Sequence, residues 1–356
     1  NRARPLYAAV MASQTTLALI VTPGFNLGAT MAFIDPFRAA NYLAGAPLYR
    51  WSLATGEGGP VTASNGLSVA TEPLSALTHA PDMGVISTSW TPEAFYGPPL
   101  DATLRRWARF GTTLVGLDTG AFVLAAAGLL EGHRATVHYE HLDAFAETFP
   151  GVAASEDLYV IDRLRLSAAG GVAAGDLALT LLRRDRGAAL ANAAARYLFH
   201  PELRPEGTRQ LAAAPEPLGA LPPEALRTAI QVMEQHLEEV LPIPEIAAAA
   251  GLSQRHLARL FHLHVGKSPA RYYTDIRLDR ARGLVTQTEM PIHEIALACG
   301  FASAEHFSRA YRQRFGLTAR RDRVEGRVPF EFRAWPMHRP YGHQDGQKEQ
   351  SSGEFR

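Results

Sequence analysis

A ten-residue pattern occurs twice in the last third of this 356-residue chain, PIPEIAAAAG at Pro242 to Gly251 and PIHEIALACG at Pro291 to Gly300, offset by 49 residues. Each copy is followed by an apolar residue, a serine within three positions of the glycine, and a second amphipathic stretch: LSQRHLARLFHLHVG and FASAEHFSRAYRQRFG. Proline near the start suits a helix N-terminus, where Glu245 and Glu294 meet the positive end of the dipole. Gly251 and Gly300 suit the turn that ends one helix, and Ser253 and Ser303 are expected to cap the next. The repeat therefore predicts two helix-turn-helix units in one chain.

In the second helices Leu257, Leu260 and Phe261, then Phe307, Ala310 and Tyr311, recur at helical spacing and are expected to face the core. The opposite faces carry Gln254, Arg255, His256 and Arg259, then Glu305, His306, Arg309 and Arg312, the side-chain types that reach base edges and phosphates. The whole chain is electrically balanced, with 35 basic and 35 acidic residues. From Gly251 to Arg323, however, 13 lysines and arginines stand against 6 acidic residues, so the basic excess is expected where DNA would lie. For any single arginine the plainer alternative is a solvated helix face.

These residues, above all IHEIALACGFASAEHFSRAYRQRFG, resemble the AraC/XylS family over about 100 residues. The resemblance implies a long helix joining the two units, here Pro269 to Gln287. It would place both recognition helices in major-groove segments about 34 Å apart on double-stranded DNA. By position it carries base contact to Arg255, Arg259, Ala304, Glu305 and Arg309. Ala304 is small where a polar reader often sits. The resemblance further implies an activator that works with RNA polymerase. Past Gly316 the chain reads LTARRDR instead of a proline-rich turn, and Arg320, Arg321 and Arg323 are read as phosphate contacts or tail solubilisers.

The length predicts more than one domain, and a hydrophobic content of 47% excludes a disordered chain. Residues 14–198 alternate short apolar runs with helical patterns. Strands are expected in TLALIVTPGF, which begins at Thr16 and holds the apolar run Leu17 to Val21, and at Arg50 to Thr55, Met83 to Ser87, Thr113 to Asp118 and Leu158 to Ile161. Helices are expected near Thr30 to Leu43, Leu100 to Phe110, Ala121 to Leu130 and Gly175 to Arg184. Apolar strands separated by helices predict a flavodoxin-like α/β fold, a mostly parallel sheet sandwiched by helices, ahead of the all-α domain at 223–323. The proline- and glycine-rich stretch 199–222 reads as a flexible linker, and 324–356 as a polar, disordered tail. The single cysteine, Cys299, excludes a disulfide framework and a cysteine-based zinc site. No cofactor or metal is expected. Leu17 to Val21 is too short to span a bilayer, so a soluble, cytoplasmic protein is expected, without a membrane partner.

The segment VGLDTGAFVLAAAGLLEGHRATVHYEH, Val115 to His141, reads as strand, sharp turn, helix and a short strand ending in histidine. Together with GGVAAGDLALTLLRR at Gly170 to Arg184 it resembles the glutamine-amidotransferase-like superfamily of PfpI type, across residues 16 to about 195. In that superfamily the turn is a nucleophile elbow that holds a cysteine. Here Asp118 stands at that position, so thiolate chemistry is impossible there and no enzyme is expected. Regulators in which such a domain precedes an AraC-type module form a known class, and the Asp-Thr-Gly-Ala-Phe elbow resembles the variant in regulators of glycine betaine and carnitine catabolism.

Ligands of open α/β sheets bind beyond the carboxyl ends of the strands. There Asp118, Thr119 and His138 are expected to gather with Phe25 and Asn26 from the first loop and Ser87, Ser89 and Trp90 from the third. A carboxylate beside aromatic rings suits a cationic amine, a quaternary ammonium in particular. Each residue also has a structural reading: Trp90 as core, His138 as a local hydrogen-bonding group, Phe25 as cover for the sheet edge, Asp118 as cap of the following helix. The first domain is also expected to form a homodimer. Two other functions stand beside this one, an amidotransferase-like enzyme with a DNA-binding appendage and a constitutive DNA-binding protein whose first domain only dimerises.

Overall fold

A computed structural model describes residues 14–200, 202–210 and 223–325. The first domain runs β1 (Thr15–Val21), α1 (Leu27–Ala44), β2 (Tyr49–Thr55), β3 (Gly59–Thr62), β4 (Ser68–Pro73), β5 (Met83–Thr88), α2 (Pro98–Arg109), β6 (Thr113–Asp118), α3 (Gly120–Ala126), β7 (Arg134–Ala135), α4 (Leu142–Thr148), β8 (Ala153–Ala154), β9 (Tyr159–Asp162), β10 (Arg165–Ala168), α5 (Val172–Arg186) and α6 (Ala188–Tyr197). The sheet order is β3-β4-β2-β1-β5-β6-β10-β9, and only the edge pairs β3–β4 and β9–β10 are antiparallel.

The central strands are buried on both faces because their side chains are apolar on both. On one face Leu17, Leu19, Val85 and Val115 pack against Phe33 and Phe37 of α1 and Leu177 and Leu182 of α5. On the other Ala18, Ile20, Ile86 and Leu114 pack against Trp107 of α2, Phe122 of α3 and Phe145 of α4. The mostly parallel, two-sided sheet is thus the one its apolar runs foretold. The β3–β4 hairpin, β10 and α6 were not among the expected elements. The helix after the elbow ends at Ala126, four residues before the expected Leu130.

The stretch read as a flexible linker is in part pinned down. Asp176, fully buried in α5, accepts from Arg204 Nε at 2.7 Å and lies 2.8 Å from His200 Nε2. Farther on, Leu158 N–H donates to Thr208 O and Gln210 N–H to Glu156 O, while Gln210 Nε2 donates to Val137 O. Proline and glycine in this segment therefore mark an irregular path over the domain surface. Residues 211–222 lie outside the described residues, as does the expected tail beyond Glu325.

The second domain is helical: α7 (Glu224–Gln235), α8 (Ile243–Ala249), α9 (Gln254–Val265), α10 (Pro269–Gln287), α11 (Ile292–Ala298), α12 (Ala304–Phe315) and α13 (Ala319–Glu325). Leu226, Met233, Ile246, Leu257, Phe261 and Tyr273 form one core, and Leu278, Leu284, Ile295, Phe301, Phe307 and Tyr311 the other. The long helix α10 contributes to both cores and joins them. Among the described residues no helix is long and apolar enough to cross a membrane.

Candidate effector site and nucleic-acid interface

At the elbow α3 approaches both β5 and β6 more closely than side chains allow. A Cβ at Gly120 would lie 2.2 Å from Ile86 O, and one at Gly116 would lie 2.5 Å from Ala121 N, so only glycine fits at either position. Asp118, between them, takes φ = 61°, a left-handed conformation that is uncommon outside glycine. Its carboxyl is buried, and Oδ2 accepts from Asn26 Nδ2 at 2.6 Å. Burial pushes its pKa up to about 6, against the pull of His138 and of the Asn26 hydrogen bond, with Glu140 adding to the rise. Gly170 closes the far side, since a Cβ there would stand 3.2 Å from Asp118 Oδ2.

The structure sorts the other expected ligand residues. Asn26 both caps α1, with Oδ1 accepting from Ala29 N–H, and positions Asp118. Thr119 is buried, its hydroxyl donating to Ser89 O at 2.8 Å and lying 2.6 Å from Thr88 Oγ1, so it ties two strand ends together. Ser89 and Ser87 are buried too, and Ser87 Oγ pairs with Thr30 Oγ1. Phe25 is fully buried with Val21, Val61 and Ala63 under the β3–β4 hairpin, a core residue with no face toward a ligand. Trp90 is half-buried in the loop after β5.

His138 caps the 3-10 turn Tyr139–His141, and its backbone N–H donates to Asp118 O at 3.2 Å. Its side chain is one-third exposed, 3.8 Å from the Glu140 carboxylate. Asp118, Asn26 and His138 are thus brought together, with Trp90 at the end of the adjacent strand. Sequence reasoning missed Glu140 and Gly170, although both lie inside the segments quoted for the resemblance. A separate cavity of about 290 Å³ opens at the N-terminal end of the sheet between Thr15, Tyr49, Met83 and Asp185. There the Tyr49 hydroxyl and Asp185 satisfy each other at 2.5 Å, so the buried carboxyl at the elbow is the better-placed group for a cation.

In the second domain Ser253 Oγ accepts from His256 N–H and Ser303 Oγ from His306 N–H, so both serines cap as expected. Gly251 and Gly300 take φ of 67° and 70°. Leu257, Leu260, Phe261, Phe307 and Tyr311 are buried, with Ala310 half-buried. Gln254, Arg255, His256 and Arg259 on α9, and Ala304, Glu305, His306, Arg309 and Arg312 on α12, are all exposed.

The basic excess is not all on that surface. Buried Asp275 draws Lys267, Arg271 and Arg314 to within 3.2 Å or less, which binds α12 to α10. Asp322, also buried, accepts from Arg282 and from the Tyr311 hydroxyl. Arg277 lies over the Phe301 ring and donates to Gly300 O. Arg323, read as a phosphate contact or solubiliser, instead donates to the carbonyls of Val285 and Met290. These internal pairs hold the two helix-turn-helix units in one orientation and leave Arg255, Arg259, Arg309 and Arg312 as exposed cations of the paired helices.

An α/β domain with a cysteine-less elbow, joined to two helix-turn-helix units with exposed basic recognition helices, defines a DNA-binding regulator. Residues 246–324 match the family described as a helix-turn-helix domain. The chain is 37% identical over 328 residues to the HTH-type transcriptional regulator CdhR of Pseudomonas aeruginosa, an alignment covering 91% of this chain and 96% of that protein. It is 36% identical over 308 residues to the HTH-type transcriptional regulator GbdR of the same species, covering 86% and 84%. A THiJ/PfpI family protein from Pseudomonas syringae superposes with a TM-score of 0.50 at 20% identity, over 71% of this chain and 97% of that one, a likeness that bears on the fold alone. The chain belongs to the AraC family of helix-turn-helix transcriptional regulators, and its first domain has the fold of that THiJ/PfpI protein.

Proposed function

We propose that this regulator activates transcription in response to a small cationic amine bound at the carboxyl ends of β5 and β6, with glycine betaine and carnitine as the leading candidates. The observation that carries this reading is the buried carboxyl of Asp118, held by Asn26 in the place where related folds keep a cysteine nucleophile. A carboxylate taken out of water is stabilised by a cation, and a quaternary ammonium, which donates no hydrogen bond, needs charge and aromatic faces. Asp118 supplies the charge, His138 and Trp90 form the rim, and Asn26 orients the carboxyl. With no thiol at the elbow, the domain binds its ligand without turning it over. A bound effector shifts the population of sensor conformations and so alters how Arg255, Arg259, Arg309 and Arg312 meet DNA. The first domain also forms the dimer, and the protein acts in the cytoplasm with RNA polymerase.

Calorimetry of the full chain against glycine betaine, carnitine, choline and arginine tests the proposal. It expects heat for at least one amine and none for the Asp118→Asn variant. A flat panel overturns it and favours a first domain that only dimerises.

A further inference from the structure

Asp118 and the recognition helices lie in different domains, so a sensor of the kind proposed needs a mechanical path between them. One face of α10, the helix shared by both helix-turn-helix units, rests on the first domain. Arg280, Gly283 and Gln287, spaced to fall on one side of the helix, meet the segment Glu140 to Asp143. Arg280 Nε lies 3.3 Å from Asp143 Oδ2. A Cβ at Gly283 would stand 3.5 Å from Glu140 O, so the small residue lets the helix lie close against that turn. Gln287 approaches the ring of His141, which is fully buried and whose pKa burial lowers to about 3.

The same segment is one wall of the elbow. Its 3-10 turn begins at His138, whose N–H is bonded to Asp118 O, and the His141 ring meets the edge of Phe122 on α3 at 6.3 Å. Only Tyr139 and Glu140 therefore lie between His138, at the effector site, and His141, under the helix that carries both DNA-binding units. On the other side Arg280 Nη1 donates to Ala298 O at 3.1 Å, the last residue of α11 and two residues before the Gly300 turn into α12.

We propose that α10 is latched to the sensor through Arg280–Asp143, Gly283–Glu140 and Gln287–His141, and that effector binding at Asp118 and His138 reaches the DNA-binding units by moving this segment under α10. The inference rests on the sensing role proposed above. Asp143 and Arg280 are part-exposed, and an ion pair in such a setting contributes little net stability, so the latch is weak enough for a ligand to tip. Arg280 grips the sensor and the end of α11 at once, so a displacement on the sensor side is felt at the turn that sets the direction of α12.

Nitroxide labels at Leu67→Cys and Leu263→Cys, both exposed positions, in the full chain with Cys299→Ala report the interdomain distance by double electron–electron resonance. The latch predicts one narrow distance, broadened by Asp143→Arg or Arg280→Asp alone and narrowed again when both reversals are combined. Saturating glycine betaine, or whichever amine of the panel gives heat, shifts the distance in the otherwise unaltered chain. Single reversals that leave the distance unchanged overturn the latch. An amine that binds by calorimetry without moving the distance overturns transmission while the sensing role stands. A panel with no heat overturns the sensing role, and transmission with it.

Discussion

Replacing Asp118 by asparagine is expected to make the first domain more stable at pH 8 while removing its response to amines. Asparagine preserves the shape, keeps an oxygen for the Asn26 Nδ2 donor, and tolerates the left-handed backbone at φ = 61° better than alanine does. What it removes is the burial of a negative charge. Burial moves the Asp118 carboxyl from its ordinary 3.8 to about 6, which corresponds to about 3 kcal/mol of penalty when the group is ionised. Because the folded pKa lies above the unfolded one, the penalty is complete above about pH 7. It shrinks as pH falls through 6, is mostly gone by pH 4, close to the unfolded value of 3.8, and vanishes below that, where both states are protonated. The gain from Asp118→Asn should follow the same curve, up to about 3 kcal/mol at pH 8 and below about 1 kcal/mol at pH 4. Urea titrations at several pH values, followed by tryptophan fluorescence, report this domain, since three of the four tryptophans, Trp51, Trp90 and Trp107, lie in it. Taking the difference between variant and parent cancels the opposite pH dependence of buried His141. A variant less stable than the parent at pH 8, or a difference that does not change with pH, would refute the reasoning.

Four further outcomes follow from the geometry. Asn26→Ala loses both the cap of α1 and the hydrogen bond to Asp118, and should lower stability by about 1–2 kcal/mol in the same titrations. Gly300→Ala should lower the melting temperature of the second domain clearly more than Gly251→Ala. Both sites have positive φ, but a Cβ at 300 would meet Val240 Cγ2 at 2.4 Å and Leu237 O at 2.7 Å, whereas 251 is open. Arg255→Ala and Arg309→Ala should weaken DNA binding, measured by fluorescence anisotropy. An arginine that contacts phosphate lowers the slope of log affinity against log salt by about 1, while one that reads a base costs about 1–3 kcal/mol on its own sequence and relaxes selectivity. Arg314→Ala, whose side chain is spent on Asp275 and Asp279, should instead act through stability.

The DNA-binding half was legible residue by residue because its rules are local. The prolines, the capping serines, the left-handed glycines and the apolar spacing each act within a few residues of themselves. The 49-residue repeat confirmed the reading twice over, and the helix expected at Pro269 to Gln287 appears with those limits. The two-sided parallel sheet was legible for a similar reason, since strands buried on both faces must be apolar throughout. Short strands toward the sheet margins such as β3, β4 and β10 escaped notice because the pairing of a short strand depends on its partner strands more than on periodicity.

Tertiary structure decided what long-range contacts control. Phe25 reads as a rim residue in the sequence, yet the β3–β4 hairpin folds over it and makes it core. The proline-rich stretch after Phe199 reads as free, yet Asp176, from a helix formed more than twenty residues earlier, captures His200 and Arg204. Arginines counted toward DNA are spent on Asp275 and Asp322, because charge composition says nothing about which partner lies within reach. The contact of Arg280 with Asp143 joins residues 137 positions apart in different domains. Local chemistry writes helices, caps and turns into the sequence; which side chains meet across the molecule depends on how those elements pack, and a periodicity cannot encode that.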